Sequence, residues 1–322
     1  NSRRNLDEAI KRAFGADYLN ARTAMANAIV GSLLPEGVVK GGSALKLRFG
    51  DAATRFTTDL DAARVHDADS FIEKLEDRLE GGWCGFTGYV VSRSPAHPEG
   101  VPEQYVMQPF DVKLAYNGKS WLTVPLEIGH DEIGDADEVE YELADDVAAL
   151  FEAVGLPSPG PSPLMPLHHQ IAQKLHAVRT PGSDRAHDLI DLQVICRLGD
   201  VDLAKTRETC IRLFAYRRQQ PWPPRIETGF DWEGLYAAQA EGLDVAETAA
   251  EAVEWANGLV ARIDSAQQLQ QTPLEFCHEA LEQNELQLIA RLRNKKIFAF
   301  NIKRSLIQNI NITGRHHYER KL

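Results

Sequence analysis

Two carboxylates and a glycine-rich turn lie within one short stretch of the chain, Val38 to Arg64. Asp59 and Asp61 are two residues apart, so on a β-strand both side chains point to the same side. The turn Gly41–Ser43 leaves backbone N–H groups uncovered where a helix begins, and this is a place where a polyphosphate can bind. Because Mg²⁺ prefers carboxylate and phosphate oxygens, the stretch predicts metal-assisted chemistry on a polyphosphate.

Each half of this pattern also has a simpler interpretation. A Gly-Gly-Ser after a strand is usually only a turn, and an Asp-X-Asp is common on solvated strand edges. The combination is more specific, because both halves occur in this order and are separated by one short predicted helix.

The elements around this stretch are predicted from the spacing of apolar residues. They are a helix or helix pair over 5–34, a helix over 69–79 and strands over 86–91, 104–116 and 120–128. Asn117-Gly118 indicates a hairpin between the last two strands. The first part of the chain is therefore predicted to be an α/β domain with a mixed sheet. Asp111 and Glu127 each stand between apolar neighbours in a strand, and either could bring a third carboxylate to the metal.

The second part of the chain is predicted to be all-α. Five prolines in 156–166 indicate a linker, and helical patterns follow from Leu167 to Ile263. We therefore expect a catalytic domain over 1–155, a linker over 156–166, a helical bundle over 167–265 and a tail over 266–322. The tail reverses the charge balance, with nine Lys or Arg against five Asp or Glu, and its role is unknown. The acidic segment 131–146 is interpreted as a solvated loop and the start of a helix.

Composition limits the class of protein. The net charge of −12 argues against a protein that coats nucleic acid through its overall field, although a local basic groove remains compatible. We find neither an apolar run long enough for a membrane span nor a secretory leader. The four cysteines show no metal-binding spacing and are interpreted as buried thiols in a reducing cytoplasm: Cys84, Cys196, Cys210 and Cys277.

A second cluster of charged residues lies in the predicted helical part. Lys174 precedes a helix on which Arg185, Asp188 and Asp191 step by three, so that they share one polar face. An ion pair on a solvated surface is the simpler interpretation of such spacing.

Both clusters resemble one family. The Gly-Gly-Ser followed by Asp-hydrophobic-Asp resembles the signature of the nucleotidyltransferase superfamily. Within it, the segments 40–50 and 55–61 and the helices around Lys174 and Asp188 are similar to the AbiEii/AbiGii-type toxins, which include the mycobacterial MenT toxins. One departure is His187 directly before Asp188, where relatives often have Arg; Arg185 is the alternative for that role. The resemblance extends over about residues 20 to 263 and does not include the tail.

The resemblance implies a Mg²⁺- or Mn²⁺-dependent transfer of a nucleotide from an NTP to the 3′ end of tRNA, which blocks aminoacylation, and it implies a cognate antitoxin. It implies catalytic roles for Asp59, Asp61, Lys174 and Asp188, and metal binding by Asp59, Asp61 and Glu127, with Asp111 as runner-up. The implied nucleotide-binding residues are Gly41, Gly42, Ser43, Arg48, Arg55, Lys174 and Asp191. RNA as acceptor predicts a positive cleft on an otherwise negative surface. Transfer to a small molecule or a protein and a non-catalytic nucleotide-binding module remain alternatives.

Overall fold

The structure is a computed structural model, and it describes residues 2–95, 106–179 and 183–266. Before the sheet, Arg3–Phe14 (α1) and Tyr18–Ser32 (α2) are joined by a 3₁₀ turn, Gly15–Asp17. The predicted helical region over 5–34 is therefore a pair. The tail and its charge reversal lie outside the described residues.

A seven-stranded mixed sheet is the framework of the first part. Its strands are Gly37–Lys40 (β1), Leu60–Arg64 (β2), Phe86–Ser92 (β3), Gln108–Tyr116 (β4), Lys119–His130 (β5), Glu140–Glu142 (β6) and Ser162–Leu164 (β7). Their spatial order is β3-β4-β5-β2-β1-β7-β6. The pairs β2–β5 and β1–β7 are parallel and the other pairs are antiparallel. The predicted mixed sheet is confirmed.

Helices surround the sheet and continue beyond it. Three lie between strands: Gly41–Phe49 (α3), Ala68–Gly81 (α4) and Asp145–Glu152 (α5). Among the residues up to 266 that the structure describes, five follow β7: Leu167–Arg179 (α6), Ala186–Leu198 (α7), Leu203–Arg217 (α8), Trp232–Ala240 (α9) and Ala249–Ser265 (α10). Within the described residues, no helix combines the length and the apolar composition that a membrane crossing requires.

Helix α3 packs into two hydrophobic clusters at once. Its residues Ala44 and Leu47 belong to the cluster that joins α1 and α2 to the sheet. Leu45 belongs to the cluster formed by the helices after β7. Because apolar burial is the main favourable term in folding, this double packing fixes α3 between the sheet and the later helices.

Two expectations about the segments beside the sheet were wrong. Strand β7 lies within the proline-rich stretch expected to be a linker, and β7 is buried between β1 and β6. The acidic segment 131–146 is only partly solvated, since Glu132 and Asp135 are 7% and 0% exposed. Its residues 140–142 form β6, which pairs with β7, and its last residues begin α5, the helix start that was expected.

Three free cysteines differ in their exposure. Cys210 is buried, Cys196 is half-buried and Cys84 is exposed, so the expectation of buried thiols is wrong for Cys84. Burial raises the pKa of Cys196 to about 11 and that of Cys210 further, which makes both thiols poor nucleophiles at neutral pH. Cys277 lies outside the described residues.

Candidate active site

Strand pairing brings the predicted carboxylates together. Asp61 on β2 stands in register with Glu127 on the parallel strand β5, and with Lys40 on the antiparallel strand β1. Side chains at paired positions lie on the same face of a sheet. Asp59 lies two residues before Asp61, immediately before β2 begins. We call Asp59, Asp61 and Glu127 the carboxylate end, because all three line one cavity of about 680 Å³.

The first turn of α3 faces this carboxylate end. Gly41 has a φ of 68°, which favours glycine, and a Cβ built on it would lie 2.3 Å from Oδ2 of Asp61. The absence of a side chain at Gly41 thus lets the carboxylate approach the first turn of α3. Gly41 lines the cavity, whereas Gly42 and Ser43 are buried behind it.

Ser43 holds the strand that carries the carboxylates. Its hydroxyl donates to the backbone carbonyl of Asp59 and accepts a hydrogen bond from Nδ2 of Asn27 at 3.3 Å. Thr57 donates from Oγ1 to Oδ1 of Asp59 at 2.7 Å. These contacts fix both the backbone and the carboxylate of Asp59, a role for Ser43 that the sequence pattern did not suggest.

The carboxylate end concentrates negative charge. Burial, reinforced by the charges of Asp59 and Glu127, raises the pKa of Asp61 to about 6. Mutually repelling carboxylates of this kind are stabilised by a divalent cation. No group of three or more His, Cys, Asp or Glu side chains in the described ranges is arranged to hold a metal by itself. The donor set nevertheless fits Mg²⁺, which is commonly held by one or two carboxylates together with substrate phosphates.

The second predicted cluster forms an ion network beside the cavity. Lys174 donates from Nζ to Oδ1 of Asp188 at 2.8 Å and to Oδ2 of Asp191 at 2.6 Å. Arg55 donates two hydrogen bonds to Asp191, at 3.0 and 3.1 Å, and Arg185 donates one to Asp188 at 2.7 Å. We call these five residues the ion network.

The ion network is a buried structure rather than a surface pair. Asp188 and Asp191 are 0% and 2% exposed, and Lys174 is 5% exposed. Burial opposes the charges, but Lys174 and the neighbouring guanidinium groups hold the pKa of both carboxyls below its usual range. Lys174 and Arg185 also line the cavity, while His187 beside them lies outside its lining.

Two predicted residues lie elsewhere. Arg48 does not line this cavity: its guanidinium contacts Glu140 at 2.6 Å and Glu142 at 2.8 Å on β6. Asp111 is on β4 and pairs with Lys113 at 2.8 Å, also outside the cavity lining. Glu127, the first choice for the third carboxylate, is therefore the one placed beside Asp59 and Asp61.

A further wall of the cavity was missed by sequence reasoning. It is lined by His130, Glu132, His176 and Arg217, among others. Arg217 binds the carboxylate of Glu132 through two nitrogens and approaches Nδ1 of His176 at 3.3 Å. Burial lowers the pKa of His130, and burial with the charge of Arg217 lowers that of His176 to about 4. These residues stand on separate elements, so no local spacing indicated them.

The charges that line the cavity balance, which differs from the expected positive cleft. Four cations and four carboxylates contribute: Lys40, Lys174, Arg185 and Arg217 against Asp59, Asp61, Glu127 and Glu132. The cleft is therefore neither positive nor uniformly negative before a ligand or metal is added.

This chain is similar to known proteins in its sequence and in its fold. The sequence model of the family described as "Nucleotidyl transferase AbiEii toxin, Type IV TA system" matches residues 24–271. Among solved structures, MenT4, a nucleotidyltransferase toxin from Mycobacterium tuberculosis H37Rv, is 17% identical over 83% of this chain and 91% of its own, with a TM-score of 0.51. JHP933 from Helicobacter pylori is 16% identical over 85% and 97%, with a TM-score of 0.39. No curated protein matches the sequence significantly. The similarity to MenT4 shows a shared fold.

Proposed function

This chain belongs to the AbiEii nucleotidyltransferase toxin family, and from that premise we propose that it transfers a nucleoside monophosphate from an NTP to the 3′ end of tRNA. The family supports nucleotidyl transfer and a toxin–antitoxin system. The tRNA acceptor, the resulting block of aminoacylation and action in the cytoplasm are our proposal. One observation carries it: three carboxylates face the first turn of α3 in a single cavity.

In the proposed reaction the triphosphate lies against Gly41 and the first turn of α3. A terminal hydroxyl oxygen of the acceptor forms a bond to the α-phosphorus, the bond to the bridging oxygen breaks, and pyrophosphate leaves. The hydroxyl proton passes to a carboxylate of the cavity. Mg²⁺, held by Asp59 and Asp61 with Glu127 as third carboxylate, would neutralise the charge that accumulates on the attacking and leaving oxygens.

The helices over 167–265 complete the active site in this proposal. They supply Lys174, whose ammonium would hold the nucleotide, and Asp188 and Asp191, which orient that ammonium. Arg55 acts on the nucleotide through Asp191, to which it is bound by two hydrogen bonds. Arg48 is left out of the proposed site, because its guanidinium is bound to β6.

The test is incubation of the protein with each α-labelled NTP, Mg²⁺ and total tRNA. We expect one or more nucleotides to label the 3′ end of tRNA, and we expect labelling to fall at least about a thousandfold, or about 4 kcal/mol in the barrier, in Asp59→Ala and Asp61→Ala. EDTA should also abolish labelling.

The matched control compares the two candidates for the third carboxylate. Glu127→Gln should lose activity as the aspartate variants do, and Asp111→Asn, on the adjacent strand but outside the cavity lining, should retain it. Label that enters no RNA, or enters it equally with Asp59→Ala, would contradict the proposal. Label in a protein or small molecule instead of tRNA would move the function to that acceptor class.

A further inference from the structure

Lys40 stands inside the cavity, at the end of β1 and directly before the turn of α3. It is in register with Asp61, and its side chain extends over β5, where a Cβ built on Gly129 would lie 3.1 Å from Nζ. The bare backbone of Gly129 thus leaves room for the ammonium. The charge of Lys40 acts on both walls of the cavity, since it opposes the rise in the pKa of Asp61 on one side and contributes to the lowered pKa of Glu132 on the other.

The other cations of the cavity lining already have carboxylate partners. Lys174 contacts Asp188 and Asp191 at 2.8 and 2.6 Å. Arg185 contacts Asp188 at 2.7 Å, and Arg217 contacts Glu132. Such contacts already use two of the three donors of Lys174 and part of the guanidinium donors of Arg185 and Arg217.

Lys40 differs from them. It makes no side-chain hydrogen bond or ion pair with any residue that the structure describes, although it lines the same cavity and is half-buried. An ammonium carries three donors and a compact charge, and a partly buried one without a partner is available to an anionic ligand.

We propose that Lys40 binds a phosphate group of the nucleotide, through an ammonium whose three donors are all available for it. The assignment rests on the proposed function. The nucleotide is favoured over the acceptor because Lys40 adjoins the turn of α3 and stands in the row of Asp61 and Glu127. A triphosphate that shares a metal with those carboxylates lies within reach of the ammonium.

The test measures binding of inorganic tripolyphosphate by calorimetry, in EDTA and at low salt, so that neither catalysis nor a metal contributes. We expect Lys40→Gln to weaken binding about tenfold, because a charge-assisted hydrogen bond is lost. The difference should shrink at about 0.5 M salt, where charges are screened over a few ångströms. Lys40→Arg, which keeps the charge, should bind more tightly than Lys40→Gln.

Lys113→Gln is the matched control, since Lys113 is paired with Asp111 outside the cavity lining and its loss should leave binding unchanged. In the transfer assay, Lys40→Gln should raise KM for the NTP and leave KM for tRNA unchanged. Wild-type binding by Lys40→Gln, or a change confined to KM for tRNA, would overturn the assignment while the proposed function stands. A wild-type protein that binds neither tripolyphosphate nor any NTP would overturn both.

Discussion

The carboxylate end and the ion network both bring charged side chains close together, yet they do so in opposite ways. In the ion network every carboxylate contacts a cation, and the two carboxyls keep a pKa below the usual range. In the carboxylate end, charges of one sign adjoin each other, and the pKa of Asp61 rises to about 6. Paired charges fix the geometry of the side chains, whereas adjoining carboxylates without a cation favour the binding of a positively charged ligand.

The largest expected effect on stability that separates the two regions is at Lys174. Lys174→Met would leave Asp188 and Asp191 buried with less compensation, so we expect the free energy of unfolding to fall by about 3–5 kcal/mol. Urea denaturation measures this fall. Asp61→Asn is the matched variant from the carboxylate end, and it should not lower stability, because it removes repulsion. Equal stability losses in the two variants would show that the distinction between the regions is wrong.

Asp135 is a buried carboxyl with no cation bound to it in the described part of the chain, and it can be compared with the paired carboxyls of the ion network. Asp135 is fully buried and accepts hydrogen bonds from Nε2 of Gln173 at 2.6 Å and from the amide of Glu132 at 3.0 Å. Burial, together with a hydrogen bond to Asp131, raises its pKa from 3.8 to about 8. In contrast to the carboxyls of the ion network, this group remains mostly protonated at neutral pH.

The pH dependence of stability follows from that shift. Because the folded pKa lies above the unfolded value, the stabilisation is fully present below about pH 4 and is lost as pH rises through about 8. We expect Asp135→Asn to flatten this fall by roughly 1 kcal/mol per pH unit near pH 7. Denaturation at a series of pH values measures the slope. The control is Asp137→Asn, at an exposed position, which should leave the slope of stability against pH unchanged. An unchanged slope in Asp135→Asn would contradict the prediction.

The smallest effect is expected at Arg48. Its guanidinium is paired with Glu140 and Glu142. Arg48→Gln should therefore change KM for the NTP by no more than about twofold, as for a substitution that touches no ligand. Steady-state kinetics of labelling measures KM. An increase of about tenfold in KM for the NTP would indicate that Arg48 contacts the nucleotide after all.

Local patterns in the sequence predicted the parts of the fold that depend on local physics. The spacing of apolar residues predicted a helix over 69–79, which is within two residues of the observed bounds of α4. The hairpin Asn117-Gly118 joins β4 to β5 as expected. The glycines at the start of α3 were also visible in the sequence, because a backbone with positive φ and an approaching carboxylate leave little choice but glycine at Gly41.

Other features depended on distant parts of the chain and could not be predicted. Strands β6 and β7 have three residues each, too few for a periodicity, and β7 is placed only by its pairing with β1. The three-residue steps of Arg185, Asp188 and Asp191 suggested a solvated face, whereas Lys174 and Arg55 make it a buried one. The contact of Arg217 with Glu132 joins α8 to the loop after β5, which no spacing rule relates.

The link between Arg55 and Asp191 has a consequence for the order of synthesis. The two residues are 136 positions apart, and Arg55 also lies against Gly42, where a Cβ would be 3.0 Å from its Nη2. A nascent chain that ends between Arg55 and Asp191 contains the arginine but not its partner. The Gly41–Ser43 turn is therefore translated long before Asp191, and a ribosome-bound fragment of that length contains the turn and Arg55 without the carboxylate that positions the arginine.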